Sequence, residues 1–369
     1  MPHAAHRLRY LGRVRALLGV FVWLTACGFD VSTSSLQDSG GGRDSDNDAP
    51  PVAVTSPRIL TFDTQNIGTV QNAPVLVRLD PSRIDYRGLS DPRTDLRFED
   101  PDGTMLPFDV EVWTPDGVSV LWVKVPQIDG GSTADFIRMH FGPDCCQMMP
   151  ASDLVWSDHE LVTHMGATVI DAANAYDGVA SGTSDADGLA GPATAFTGDN
   201  QRVTFPTSGP LLDGWQTWSV ELWVRPSYAN VAEADGRGNA VIDKGSGSAL
   251  QIGRLEVTAA QVLWFQADIH YEVLPTAYIN TSVDLSVWTY LVYSSDGSIL
   301  SLFKNGNLVA TASRQGRVEY GMTDIVLGGA SPFLGAIDEL RISDRAVTAD
   351  WLKVQYRSMM DQLVTFSGT

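Results

Sequence analysis

Carboxylates, imidazoles and indoles at short spacing are the groups through which this chain could do chemistry. His159-Glu160-Leu161-Val162-Thr163-His164 sets two histidines around a glutamate. A zinc-binding helix holds its histidines four apart. Five residues of helix subtend about 500°, which turns the two rings about 140° from each other, so a regular helix does not bring both to one metal. Asp109-Val110-Glu111-Val112-Trp113 alternates, placing Asp109, Glu111 and Trp113 on one face of a strand and the valines on the other. Glycan hydrolysis needs two positioned carboxylates. Asp109 and Glu111 are either a sugar-facing acid pair or the solvated face of a half-buried strand. No Gly-x-Ser-x-Gly elbow and no phosphate-cradling glycine loop occurs, so acyl and phosphoryl transfer have no handle in the sequence.

Ten tryptophans leave room for a sugar platform, because an indole face stacks on the C–H face of a pyranose. Along Trp218 to Arg225 the residues Trp218, Val220, Leu222 and Val224 form one apolar face, leaving Glu221, Trp223 and Arg225 on the other. Trp223 is therefore a ligand platform or a second core residue, and Trp264 and Tyr271 pose the same choice. In Ala336 to Ser343 strict alternation puts Asp338 on the face of Leu340 and Ile342, opposite Ile337, Glu339 and Arg341. A buried carboxylate is costly unless it is paired, hydrogen-bonded or bound to metal. Upstream, Asp171, Asn174 and Asp177, closed by Gly178, offer three oxygen-bearing side chains suited to a hard cation. A structural calcium ion held by Asp171, Asn174, Asp177 and Asp338 is the expectation, with a polar turn and a hydrogen-bonded acid as the alternative. Asp44, Asp46 and Asp48 only begin a calcium loop, since Ala49 and Thr55 stand where glycine and glutamate are needed.

The elements that must position these groups are strands. Hydrophobic residues make up 44% of the 369, charged residues 19%, and 34 glycines with 19 prolines punctuate the chain, a globular, turn-rich composition. Ile59 to Phe62, Val75 to Leu79, Leu96 to Phe98, Phe108 to Trp113 and Val118 to Val125 read as strands about 10 residues apart, which suggests an antiparallel sandwich. Farther on, Trp288 to Tyr293 and Leu300 to Lys304 flank Asp296-Gly297, and Asn305-Gly306 turns the chain into Leu308 to Ala310, both strong hairpin signals. Thr348 and Asp350 supply an N-cap and a first-turn acid for a short helix from Ala349 to Arg357.

The net charge of −19, with no basic run beyond the N-terminus, leaves nucleic acid without an electrostatic footprint. Three cysteines exclude a disulfide framework and a multi-cysteine zinc site. Cys145-Cys146, bracketed by Gly142-Pro143 and Pro150, is a hinge detail that forms a vicinal disulfide or stays reduced.

At the N-terminus Arg7, Arg9, Arg13 and Arg15 precede the apolar run Leu17 to Ala26, too short to span a bilayer. Leu24-Thr25-Ala26-Cys27 resembles the bacterial lipobox, in which the cysteine is acylated and becomes the mature N-terminus. Cleavage before Cys27 leaves 21 bases against 44 acids, or −23. Residues 28–57 are Ser, Asp, Gly and Pro with few core-forming side chains, a flexible tether reaching on the order of 30 Å. Gly28 stands where an inner-membrane retention signal would place aspartate, so the expected address is the outer membrane or the cell surface.

Two family resemblances complete the reading. Asp80-Pro81-Ser82-Arg83-Ile84-Asp85, Asp95-Leu96-Arg97-Phe98, Leu106 to Trp113 and Trp122 to Pro126 resemble the domain of unknown function 2341 across 58–142. Ala195 to Asp199, Val203 to Phe205, Trp218 to Pro226, the hairpins and Gly335 to Ser343 resemble the laminin-G-like, concanavalin A-like lectin/glucanase jelly roll. The Asp171 to Gly178 stretch is similar to a loop near the start of such sandwiches, whose glucanase relatives place calcium against an Asp of the last strand. The glucanase Glu-x-Asp-x-Glu strand is absent. The expected organisation is all-β: a signal at 1–26, a tether at 27–57, a β-sandwich at 58–142, a hinge at 143–160 and a laminin-G-like domain with a C-terminal helix at 161–369. The resemblance implies a non-catalytic surface lipoprotein that binds glycan. The alternatives are a structural lipoprotein docking another envelope protein, and a polysaccharide-cleaving enzyme using Glu111.

Overall fold

The computed structural model describes residues 57–115, 117–146, 150–173, 176–207, 211–229, 241–244, 250–257, 263–272, 277–321, 323–329 and 333–367. The signal, Cys27 and the tether lie outside these, apart from Pro57, and so does Asn174.

The first sandwich is built from β1 (Arg58–Phe62), β2 (Val70–Leu79), β3 (Leu96–Glu99), β4 (Met105–Leu106), β5 (Phe108–Val112), β6 (Ser119–Ile128) and β7 (Phe136–Phe141), with α1 (Pro92–Asp95) ahead of β3. Asp91 caps α1 by accepting from the Arg93 N–H, and Pro92 sits where its missing N–H costs nothing. A linker with α2 (Ser152–Val155) leads to β8 (Leu161–Thr163), β9 (Val179–Ser181), β10 (Ser184–Asp187), β11 (Pro192–Phe196) and β12 (Arg202–Phe205). Then follow β13 (Thr217–Pro226), β14 (Ile242–Lys244), β15 (Leu250–Val257), β16 (Leu263–Ile269), β17 (Ala277–Ser282), β18 (Thr289–Asp296), β19 (Ile299–Lys304), β20 (Asn307–Ser313), β21 (Ile325–Gly328) and β22 (Gly335–Ser343). The described chain ends in α3 (Ala349–Met359) and β23 (Val364–Ser367).

Sheets of five strands (β23-β1-β7-β3-β4) and three strands (β2-β6-β5) make up the first sandwich. The second pairs a seven-stranded sheet (β17-β16-β15-β14-β21-β12-β9) with an eight-stranded one (β10-β11-β22-β13-β18-β19-β20, and β8 on β22). The expected hairpins form: β18 turns into β19 at Gly297 and β19 into β20 at Asn305-Gly306, both of whose φ angles are positive (51° and 76°), as a two-residue type I′ turn requires. Thr348 caps α3 by accepting from the Trp351 N–H.

Alternation along β13 sorts its side chains as expected. Trp218, Val220, Leu222 and Val224 enter the core between the two large sheets, with Phe265, Ile279 and Ile325 from the opposite sheet. The other face of the eight-stranded sheet is also buried: Trp223, Tyr290, Val292 and Phe303 join one apolar cluster with the core of the first sandwich and with Trp351 and Leu352 of α3. The two sandwiches thus share a core.

The chain does not finish inside the second sandwich, as the span 161–369 has it. After α3 it returns to the first, where β23 pairs antiparallel with β1, Phe366 opposite Leu60, and the Arg83 guanidinium lies 4.9 Å from the Phe366 ring centroid. A four-residue strand whose partner lies some 300 residues away carries little local signal of its own.

Candidate functional site

The outer face of the seven-stranded sheet carries an ordered polar and aromatic surface. Register across the strands aligns Tyr278 on β17 with Asp268 on β16, Gln251 on β15, Asp243 on β14, Val326 on β21 and Thr204 on β12. One step along, Asn280 opposes Gln266, and Trp264 opposes Ser282. The residues between these, Phe265, Ala267, Ile269 and Ile279, point into the core, so period-two alternation builds both surfaces. Gln266 donates from Nε2 to Asp268 Oδ1 (2.7 Å) along β16 and Gln251 from Nε2 to Asp243 Oδ2 (3.3 Å) across to β14, which fixes these amide and carboxyl groups. Tyr278 is 62% exposed and Trp264 is half-buried.

Of the three expected aromatic platforms, only Trp264 lies on this face. Trp223 is fully buried: its indole stacks between Tyr290 (centroids 5.1 Å) and Tyr356 of α3 (5.7 Å), and its Nε1–H points to Met359 Sδ at 2.9 Å. The covering helix leaves no indole face for a ligand. Tyr271 is also closed off, in the core under the Arg314 guanidinium. Tyr278 stands on a strand with alternating exposure, Ala277 in and Tyr278 out. That is the signal by which the sequence could have marked it.

The expected calcium ligands do not converge among the described residues. Asp171 accepts three backbone N–H groups, from Val162, Ala173 and Tyr176, and Asp177 accepts the Asp171 N–H, so these acids staple their own loop. Asp338 Oδ2 instead accepts from the Leu189 and Ala190 N–H groups. Nor does Asp338 share a face with Leu340 and Ile342. Opposite β13 the pairing shifts between Glu221 (with Arg341) and Trp223 (with Asp338), and Glu339 has φ 51°. This is a β-bulge. The extra residue breaks the alternation: Ile337, Leu340 and Ile342 enter the core, while Asp338 leaves it for the seam with the first sandwich.

At that seam Asp109 and Glu111 of β5 meet residues from far along the chain. His164, just past β8, donates from Nδ1 to Glu339 Oε1 (2.7 Å) and from Nε2 to Asp109 Oδ2 (3.3 Å), with Glu111 Oε2 3.7 Å from Nδ1. Burial works against a charged imidazole, yet Glu339, Glu111 and Asp109 hold the His164 pKa well above its ordinary value. Burial drives the Glu111 carboxyl far up, helped by Glu339, and raises Asp338 to about 7. Burial also acts on Glu339, but His164 and Arg341 hold that carboxyl down. The segment 159–164 is a turn and a strand, so the spacing of its histidines on a helix does not apply. His159 lies instead against Trp156 and Trp351, buried with neither ring nitrogen hydrogen-bonded. A pocket of about 460 Å³, lined by Asp109, Glu111, His164, Thr168 and Asp185, opens onto the cluster. Near the hinge, Cys145 and Cys146 are joined by a disulfide.

Two known families match parts of the chain. Residues 197–353 match the Concanavalin A-like lectin/glucanases superfamily. The second sandwich is a laminin-G-like, concanavalin A-like domain. Residues 93–153 match a Domain of unknown function (DUF2341), a match that ends within α2. Among solved structures the chain is similar to the botulinum neurotoxin type G receptor binding domain (14% identity, TM-score 0.42, covering 54% of this chain and 51% of that one). It is also similar to domain 4 of AbnA, a GH43 extracellular arabinanase from Geobacillus stearothermophilus, in complex with arabinotriose (20%, 0.37, 50% and 90%). The chain spans about half the length of the toxin binding domain. No curated protein matches it.

Behind the laminin-G-like domain's eight-stranded sheet, Glu221 is 1% exposed, accepts from the Tyr290 hydroxyl at Oε2 and leaves Oε1 unpartnered. Burial raises its pKa. A carboxyl raised on folding contributes stability that is complete below the unfolded pKa, about 4, and is lost as pH rises through the folded value. Glu221→Gln keeps a neutral acceptor for Tyr290 at every pH. Unfolding free energies from denaturant titration at pH 4, 6 and 8 should show the variant gaining on the wild type as pH rises. A difference that stays constant with pH would contradict the assignment.

Proposed function

We propose that this protein is an exported, lipid-anchored glycan-binding protein whose laminin-G-like domain holds sugar on the outer face of its seven-stranded sheet. The observation that carries the reading is the pairing of the exposed Tyr278 and the half-buried Trp264 with Asn280, Gln251 and Asp243 on that face, over the buried pair Gln266 and Asp268. A sugar needs both, an apolar plane for its C–H face and rigid donors and acceptors for its hydroxyls. The matching superfamily, named for lectins and glucanases, agrees with that class of ligand.

Anchoring rests on Leu24-Thr25-Ala26-Cys27 behind a basic, short apolar segment. One acyl-cysteine followed by an acidic spacer would present the two sandwiches away from an anionic membrane surface.

Two measurements check these readings. Pull-down on a panel of envelope and plant polysaccharides should retain the protein, and Tyr278→Ala and Trp264→Ala should each weaken retention about tenfold, the change at the exposed Tyr278 without lowering the melting temperature. No retention on any polysaccharide, or retention indifferent to both changes, would remove this face from the account. Separately, Cys27→Ser should move the protein from the membrane to the soluble fraction. A substituted protein still membrane-bound after signal removal would point to another anchor.

A further inference from the structure

The geometry points to a divalent transition-metal site of the zinc class at the seam of the two sandwiches, held by Glu111, His164 and Glu339. Among the described residues these three bring a carboxylate oxygen, an imidazole nitrogen and a second carboxylate oxygen within 4.8 Å of one another. Tetrahedral ligands at about 2.1 Å from zinc lie about 3.4 Å apart. His164 Nδ1 is 3.7 Å from Glu111 Oε2 and 2.7 Å from Glu339 Oε1, so of these two contacts the first is near the tetrahedral spacing and the second has to open by less than an ångström.

Each ligand atom is already oriented from behind, as ligands in metal sites are. Asp109 Oδ2 receives the opposite nitrogen of His164, which leaves Nδ1 for the metal. Trp122 Nε1–H donates to Glu111 Oε2 at 2.9 Å, and Arg341 donates to the other oxygen of Glu339, Oε2, at 2.7 Å. The Glu111 side chain is 2% exposed, yet its Oε1 has no hydrogen-bond partner. A buried carboxylate oxygen left orphaned is expensive, and a metal taking that carboxylate through both oxygens removes the cost.

Charge agrees with the geometry. Glu111, Glu221, Asp338 and Glu339 gather four carboxyl groups here around Arg341 and the half-buried His164, with Arg78 contributing from the Leu189 and Met359 carbonyls it holds. A divalent ion in place of the His164 proton would stabilise the ionised form of the Glu111 carboxyl, which burial otherwise disfavours. His164 and Glu111 both line the 460 Å³ pocket, which gives an ion a way in from solvent. The mixed nitrogen and carboxylate set favours zinc-class ions over calcium, which takes six to eight oxygens.

The test uses the full chain stripped with EDTA. Calorimetric titration with Zn²⁺ should give one equivalent per chain and a raised melting temperature, and Co²⁺ should produce a visible absorption band that Zn²⁺ displaces. Glu111→Gln and His164→Gln should each weaken binding at least tenfold, and Asp109→Asn, which only positions His164, between about 10- and 100-fold with the stoichiometry kept. Should the ligand variants fail to fold by circular dichroism, X-ray absorption of the wild-type zinc complex decides. A nitrogen and oxygen shell with a single imidazole supports the site; sulfur, or more than one imidazole, overturns it. Absent or substoichiometric binding, or affinity unchanged in both ligand variants, also overturns it.

Discussion

The guanidinium of Arg341 lies in the corner formed by two indoles, 4.4 Å from the centroid of Trp122 and 4.7 Å from that of Trp156, and is 1% exposed. A charge so deep must be paired, and the pairing is what joins the two sandwiches. One amino group meets Glu339 Oε2, on the same strand. The other meets Gln355 Oε1 on α3 at 2.8 Å, and Gln355 passes the connection on by donating from Nε2 to the Pro74 carbonyl at 2.8 Å. Pro74 lies on β2, the edge of its sheet, where a proline breaks no central ladder and a carbonyl is free to accept. Strand, helix and edge strand are thus tied through one buried cation whose aromatic walls come from the first sandwich and the linker. Around it the apolar cluster is continuous from Leu60 to Trp223, and β23 closes the ring by adding a strand to the first sandwich after the second is complete.

A short turn shows how closely the seam is fitted. Residues 188–191 run between Asp338 of the second sandwich and Glu111 of the first. A Cβ on Gly188 would stand 2.6 Å from Asp338 Oδ2, and one on Gly191 2.2 Å from Glu111 Oε1, so glycine at both positions is a condition of close approach rather than of backbone conformation. Arg78, from β2, grips the Leu189 carbonyl in the same turn.

Much of the fold is legible in the sequence because its causes are local. Alternation in Trp218 to Val224 states which residues face the core, Asn305-Gly306 states the turn, and Thr348 states the start of α3. The seam is hidden because its causes are not. His164 meets residues 55 and 175 positions away, and the bulge at Glu339 is invisible to an alternation rule, since one added residue turns the rest of the strand over. The adjacent acidic pair Asp338-Glu339, set between the core residues Ile337 and Leu340, was the trace it left. Trp223 misleads for a related reason: it does occupy the second face of the sheet, but that face is covered by α3 and the first sandwich. The concanavalin A-like fold fixes where surfaces lie and not what they hold, so the sugar face has to be argued from Tyr278, Trp264 and the amides beside them.

If the two sandwiches are one cooperative structure held at the buried charge, differential scanning calorimetry of the full chain is the most direct check. The wild type should unfold in a single transition whose calorimetric and van't Hoff enthalpies agree. Arg341→Met, which keeps the bulk against the indoles but leaves Glu339 without that partner, should cost about 3–5 kcal/mol and separate the two sandwiches into distinct transitions. Two resolved transitions already in the wild type, or an Arg341→Met chain that melts as the wild type does, would contradict the account.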